Sequence, residues 1–396
     1  MTSRLMVIVP DYVSVFLDKG EEIDRYYNPG DVFDEVHIVL TNDDRPNMAA
    51  IKRMAGRACV YLYNLPTGRN LFLRSLGWRP LFLERWVRGA LALARAIQPN
   101  LVRCHGALLN GYAAYRIKQA YGVPYLVSLH INPDEDVRGR ARGLKQRLFA
   151  TAQQTVGNLT LRNADLVMPV YQSIIPYLER IGVRRFEVCY NVLNPAYLCQ
   201  KTDYDLHQPL RLISVGRQFK EKNPDHLIRA VSELSNVELT VVGDGDHHDY
   251  LRKVAVDCGV SDRVIFHKAI PNDELCRQLP EFDIFAVHTE YWELSKSVLE
   301  SFLTGLPVVI NRRRGSAVPE LSEDICMMVD NTVDGYLNAL TRLIDDGVHR
   351  GQLGRRAYAH AQANWSPVET ERKFANIYRE MLKNVPMHRL RFGVAS

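Results

Sequence analysis

The stretch Thr289–Glu320, TEYWELSKSVLESFLTGLPVVINRRRGSAVPE, carries the signals of a helix that leads into a buried strand. Ser295 is of the type that caps a helix N-terminus, and Lys296–Thr304 follows with helix formers. Val298, Leu299, Phe302 and Leu303 recur on one side, the spacing of an amphipathic helix. Gly305 suits a left-handed stop, and Pro307 prevents the helix from resuming. Val308–Ile310 then reads as a short buried strand. A helix whose N-terminus emerges from a loop offers free N–H groups to an anion such as a phosphate. Glu300 lies about one turn inside and suits hydrogen bonding to a sugar diol. The competing reading is an ordinary helix packed on an α/β sheet.

The chain has 396 residues, too many for one ordinary core, so two domains are expected. Hydrophobic residues make up 46% and charged residues 24%, a globular profile rather than a disordered or fibrous one. The net charge of +5 gives no footprint of nucleic-acid binding, yet permits an anionic substrate or membrane surface. Seven cysteines are scattered with no C-x-x-C, which argues against a disulfide framework or zinc site and for a reducing cytoplasm. The start MTSRLMVIVPDY lacks the apolar core of a signal peptide, and no apolar run reaches the ~18 residues of a membrane span.

Short runs at Leu5–Val9, Val36–Leu40, Asn100–Cys104, Tyr125–Leu129, Ala164–Val170 and Glu187–Tyr190 read as strands of a first parallel sheet. Gln200–Pro209 is polar and contains a proline, which places a linker there. Strands at Leu210–Val215, Glu238–Val242, Val264–His267, Asp283–Val287 and Pro307–Ile310 alternate with helical patterns, implying a second doubly wound sheet. The expected domains are residues 1–199 and 200–366, followed by a long final helix from near Pro367. His105 and His130 each follow a strand of the first domain, where parallel sheets bind ligands. Arg69–Ile97 interleaves arginines with Phe72, Trp78, Phe82 and Trp86, and Val137–Arg147 carries Arg138, Arg140, Arg142, Lys145 and Arg147. Both segments suit an anionic membrane surface or a solvated basic face.

In the second domain, Val215-Gly216-Arg217-Gln218-Phe219-Lys220-Glu221-Lys222-Asn223 ends a strand on glycine and sets Arg217 and Lys222 five positions apart. Arg217 can grip a phosphate through its planar fork, and Lys222 can add a point charge. Gly243 and Gly245 form a second glycine turn after Val242. It is no dinucleotide fingerprint, because His248 stands where the third glycine belongs.

KSVLE followed by GLPVV, the VGR loop ending in Lys222, the VGDG turn and the GVPYLVSLH run ending at His130 together resemble the retaining glycosyltransferases of family 4. The resemblance implies the GT-B fold: two α/β Rossmann-like domains with doubly wound parallel sheets, facing each other across a cleft. It implies that helix 367–396 packs back on the first domain. It also implies a nucleoside diphosphate sugar as substrate, a UDP-sugar or GDP-sugar, with no cofactor. No metal is implied, because Arg217, Lys222 and the helix dipole take the diphosphate charge. Gly216, Gly243, Gly245, Lys296 and Ser297 are expected around the donor, Ala269 beside its base and Glu300 on its ribose. His130 is expected near the transferred sugar. His105, Lys19 and Gly20 belong on the acceptor side, the last two in place of the family's Gly-Gly loop. The family's first glutamate, separated from the second by seven residues, is missing. Trp292 occupies its place, which leaves Glu293, ahead of Glu290, as the replacement. The implied function is retaining transfer of a sugar to a saccharide or lipid-linked acceptor in polysaccharide, glycolipid or glycoconjugate synthesis. The expected location is the cytoplasm, peripherally at the inner face of an anionic membrane, with no nucleic-acid partner. Alternatives are a glycoside phosphorylase or epimerase on the same fold, or a non-catalytic nucleotide-sugar-binding protein.

Overall fold

The computed structural model describes residues 2–68, 80–135 and 144–383. Contacts divide the chain into two units. The first comprises residues 1–17, 22–192 and 370–396, and the second residues 18–21 and 193–369.

The first unit is built on β1 (Arg4–Val9), β2 (Glu35–Leu40), β3 (Cys59–Asn64), β4 (Leu101–His105), β5 (Tyr125–Leu129) and β6 (Leu166–Pro169). They lie parallel in the order β3-β2-β1-β4-β5-β6. β4, β5 and β6 are buried at every residue, which is why they read as continuous apolar runs. Leu5 pairs with Val36 and Val7 with Ile38, and these four share a core with Phe374, Ile377 and Tyr378 of the final helix, Pro367–Lys383.

The second unit carries β7 (Leu210–Val215), β8 (Val237–Val242), β9 (Val264–His267), β10 (Ile284–Val287), β11 (Val308–Asn311) and β12 (Met327–Val329). Their order, β12-β11-β10-β7-β8-β9, is the same doubly wound pattern. In each sheet the order reverses once, between β1 and β4 and between β7 and β10. Ligands of open α/β sheets bind outside the carboxyl ends of the strands at such reversals.

The Lys296–Thr304 helix forms as expected. The Ser295 hydroxyl accepts the Val298 N–H at 3.4 Å, and Gly305 ends the helix at φ 86°. The expected strand at Glu187–Tyr190 is not a ladder. Its backbone follows β6 through Glu187 N–H to the Val167 carbonyl, 3.0 Å, and Cys189 N–H to that of Pro169, 2.9 Å, with one bridge at Phe186. β3 and β12 add to the expected strands. Of the two basic segments, the helix Pro80–Ile97 is described, whereas Arg69, Arg74, Phe72, Trp78, Arg79, Arg138, Arg140 and Arg142 lie outside the described residues. Among the described residues no helix is long and apolar enough to cross a membrane.

Candidate functional site

A cavity opens at the reversal of the second sheet. The ends of β7, β8 and β10 wall it with Val215, Val242 and Val287, and the N-terminus of the Lys296–Thr304 helix adds Ser295 and Ser297. The first turn of a helix has N–H groups without intrahelical acceptors, so this end presents partial positive charge. The Ser297 hydroxyl donates to the Val215 carbonyl at 3.1 Å and ties the helix start to β7.

Gly216 and Lys222 line the cavity. A Cβ on Gly216 would meet nothing within 4 Å, so a ligand can approach its backbone closely. Arg217 is exposed and makes no ion pair among the described residues; it lies 5.9 Å from the Phe219 ring. Lys222 Nζ forms an ion pair with Glu293 Oε1 and sits 5.2 Å from the Tyr291 ring centre. Glu293 lines the cavity, whereas Glu290 is exposed and donates its backbone N–H to Glu221 at 2.7 Å. Trp292 is turned to the loop after β11, where its indole N–H donates to the Ser316 carbonyl at 2.8 Å. That loop's arginines are engaged locally, Arg312 with Glu323 and Arg313 with the Tyr291 carbonyl.

Gly243 and Gly245 are required by the protein itself. A Cβ on Gly243 would stand 1.9 Å from the Gly216 carbonyl oxygen, and one on Gly245 2.4 Å from that of Gln218. The two glycine turns therefore pack backbone to backbone. Ala269 lies exposed in the loop after β9.

Glu300 is 2% exposed. Asn272 Nδ2 donates to its Oε1 at 2.8 Å, and Lys296 Nζ stands 3.9 Å away. Burial raises its pKa, against the pull of Lys296 and Asn272. Lys296 also pairs with Glu21 at 3.0 Å. Lys19 is exposed and accepts the Asn272 N–H through its carbonyl at 2.6 Å, while Gly20, φ 69°, lies against Asp273. The segment 18–21 thus belongs to the second unit, where Glu21 and Glu300 share Lys296.

In the first unit His105 and His130 close the ends of β4 and β5, with rings stacked at 5.7 Å. His105 is buried and its Nε2 has no partner. Burial, then Arg103 and His130, lowers its pKa well below the ordinary value. Enclosure by protein, then Arg103, also lowers that of His130, and a hydrogen bond with Asn191 opposes the shift, although the ring keeps an exposed face. Both imidazoles are neutral at pH 7. Among the described residues no group of three His, Cys, Asp or Glu side chains is placed to hold a metal ion.

Two neutral residues on the cavity wall, Gln218 and His288, were not anticipated. Nothing local distinguishes them, since each follows a strand as many core residues do.

Two Rossmann-like units, with a cavity at the sheet reversal and a helix N-terminus beside it, define the GT-B class. A model described as glycosyl transferases group 1 matches residues 203–360, and one described as glycosyl transferase 4-like domain matches residues 33–191. The chain belongs to the GT-B glycosyltransferases of the family-4-like type. It is 33% identical over 148 residues to the lipopolysaccharide core biosynthesis glycosyltransferase LpsE of Rhizobium meliloti, an alignment covering 37% of this chain and 43% of that one. It is 25% identical over 321 residues to the 2-deoxystreptamine N-acetyl-D-glucosaminyltransferase of Streptomyces fradiae, covering 75% and 74%. Among solved structures, sucrose-phosphate synthase from Thermosynechococcus elongatus superposes with a TM-score of 0.73 at 16% identity, covering 97% of this chain and all of that one (100%). Anabaena HepE in complex with UDP gives 0.71 at 17% identity, covering 95% and 100%.

Proposed function

We propose that the protein transfers a sugar from a nucleoside diphosphate sugar to an acceptor hydroxyl, with retention at the anomeric carbon. The observation that carries this reading is the meeting of Gly216, Lys222, Glu293 and the Lys296–Thr304 helix N-terminus on one cavity at the sheet reversal. Cations and helix N–H groups fixed before the reaction stabilise a departing diphosphate, whose charge grows in the transition state. Arg217 and Lys222 fill that role without a metal. Glu300 takes the ribose diol, and Glu293 takes donor-sugar hydroxyls once Lys222 turns to the phosphate. The acceptor attacks from the face the diphosphate leaves, and a phosphate oxygen takes its proton. His130, neutral at pH 7, bonds the transferred sugar.

Relatives include an enzyme of lipopolysaccharide core biosynthesis and one acting on 2-deoxystreptamine, and a neighbour of the same fold was solved with UDP. These support a UDP-sugar donor and a glycoconjugate or saccharide acceptor, with a GDP-sugar as the alternative donor. Peripheral contact with an anionic membrane is proposed on the basic composition of residues 69–97 and 137–147. The test incubates purified protein with UDP-, GDP- and ADP-sugars and follows release of the diphosphate with and without EDTA. Turnover that survives EDTA is expected; complete loss in EDTA overturns the metal-free route, and no turnover with any donor and acceptor extract overturns the transferase reading.

A further inference from the structure

The cavity has an inner wall that neither the diphosphate cations nor Glu300 accounts for. Gln218 and His288 stand on it, 1% and 4% exposed. Gln218 Oε1 is bonded to His248 Nδ1 at 2.7 Å, and Gln218 Nε2 has no partner. His288 Nδ1 has no partner either. Most buried polar atoms in native proteins are paired, because leaving one unmade costs its desolvation. Here two such atoms belong to residues that follow β7 and β10, the strands on either side of the sheet reversal, and both residues are on the lining of one cavity.

The chemistry of that wall is neutral. Ser214 adds a polar residue, and Val215, Val241 and Val287 add apolar surface. The nearest charges on the lining, Lys222 and Glu293, cancel in their ion pair. Burial, then Arg313 and His226, pushes the His288 pKa down to about 4, so its ring is uncharged at pH 7. Arg313 is bonded to the Tyr291 carbonyl and is not on the cavity lining, so a phosphate placed there would lose its hydration and touch no cation on the inner wall in return. A neutral ring with hydroxyls meets a donor, a ring nitrogen and apolar patches, the usual lining of a small-molecule site.

We propose that Gln218 and His288 form the subsite for the sugar ring of the donor, with Gln218 Nε2 donating to one sugar oxygen and His288 Nδ1 bonding a neighbouring hydroxyl. This rests on the donor reading above and assigns the inner wall to the sugar, leaving the diphosphate to Arg217, Lys222 and the helix N-terminus. A trapped water is the rival occupant.

Calorimetry on the full chain decides between them, with a panel of UDP- and GDP-sugars alongside UDP and GDP. Gln218→Met and His288→Phe keep bulk and remove the polar atoms; His288→Asn keeps a polar atom near the position of Nδ1. The first two are expected to weaken binding of the preferred sugar nucleotide about tenfold each, with the Kd of UDP or GDP unchanged, and His288→Asn to recover most of the loss. Equal weakening of sugar nucleotide and diphosphate overturns the proposal, because the residues then only shape the pocket. No change in either also overturns it and assigns the wall to a water. A wild-type protein that binds no nucleotide sugar removes the donor reading itself. If the variants do not fold, the 15N imidazole signal of His288 in wild type carries the test. It should move on adding the sugar nucleotide and stay on adding the diphosphate; the same shift with both sinks the proposal.

Discussion

Glu293 neutralises Lys222 through a direct ion pair, so in the free protein Arg217 is the cation most ready for a diphosphate. Replacing Glu293 therefore has two opposed effects. Glu293→Ala releases Lys222 and should tighten binding of UDP or GDP a few-fold, while kcat/KM falls about 100-fold if the carboxylate meets the transition state. Glu290→Ala, at an exposed side chain away from the cavity, should leave both within about twofold. Equal kinetics for the two variants would remove the role given to Glu293. A second residue-scale expectation concerns acid. The His288 pKa is lowered from 6.5 to about 4 by burial first, so between these values the unfolded chain binds a proton that the folded chain does not. Stability from this group is whole above pH 6.5 and is lost as pH falls toward 4, up to roughly 3 kcal/mol. His288→Phe should flatten that part of the pH dependence of stability measured by urea unfolding; His105 and His130 shift in the same direction and keep the rest of it.

At the scale of elements, the glycine turns after β7 and β8 look interchangeable in sequence, yet their surroundings differ. Gly243→Ala drives a Cβ into the Gly216 carbonyl and should lower Tm by several degrees, as a backbone clash of a few kcal/mol does. Gly216→Ala has free space and should keep Tm while weakening donor binding, because its Cβ would occupy the ligand's approach. Differential scanning fluorimetry with and without UDP separates the two. The same contrast explains what was legible beforehand. The Lys296–Thr304 helix was readable because Ser295, the apolar face and Gly305 are all local signals. Strands buried on both faces were readable as apolar runs. β3 was not, because it lies at a sheet edge with no residue fully buried, and β12 has only three residues. Gln218 and His288 were invisible because an unpaired buried atom is a property of packing. The glycines after β8 were visible as glycines, while the reason for them, another loop's backbone, was not.

Across the whole molecule, the first unit is completed from both ends of the chain. Arg103 on β4 is buried and makes no ion pair among the described residues. Its guanidinium donates to the Tyr378 hydroxyl at 3.0 Å and to Ser128 Oγ at 3.0 Å, and lies 4.8 Å from the Phe374 ring. Tyr378→Ala removes a buried aromatic together with a hydrogen-bond acceptor for a buried cation. It should cost roughly 3–5 kcal/mol in chemical denaturation, whereas Tyr378→Phe costs about 1–3 kcal/mol. The same helix also sets a schedule. Residues 193–369 of the second unit are made before Phe374, Ile377 and Tyr378 exist. At ~5–20 residues per second the ribosome needs roughly 10–35 s to make them. For that interval Arg103 lacks its contacts with Tyr378 and Phe374, and Leu5, Val7, Val36 and Ile38 lack the core residues of the final helix. A nascent chain of this protein is thus expected to bind holding chaperones until its last helix emerges, and a message truncated near codon 366 is expected to yield a first unit without that cover.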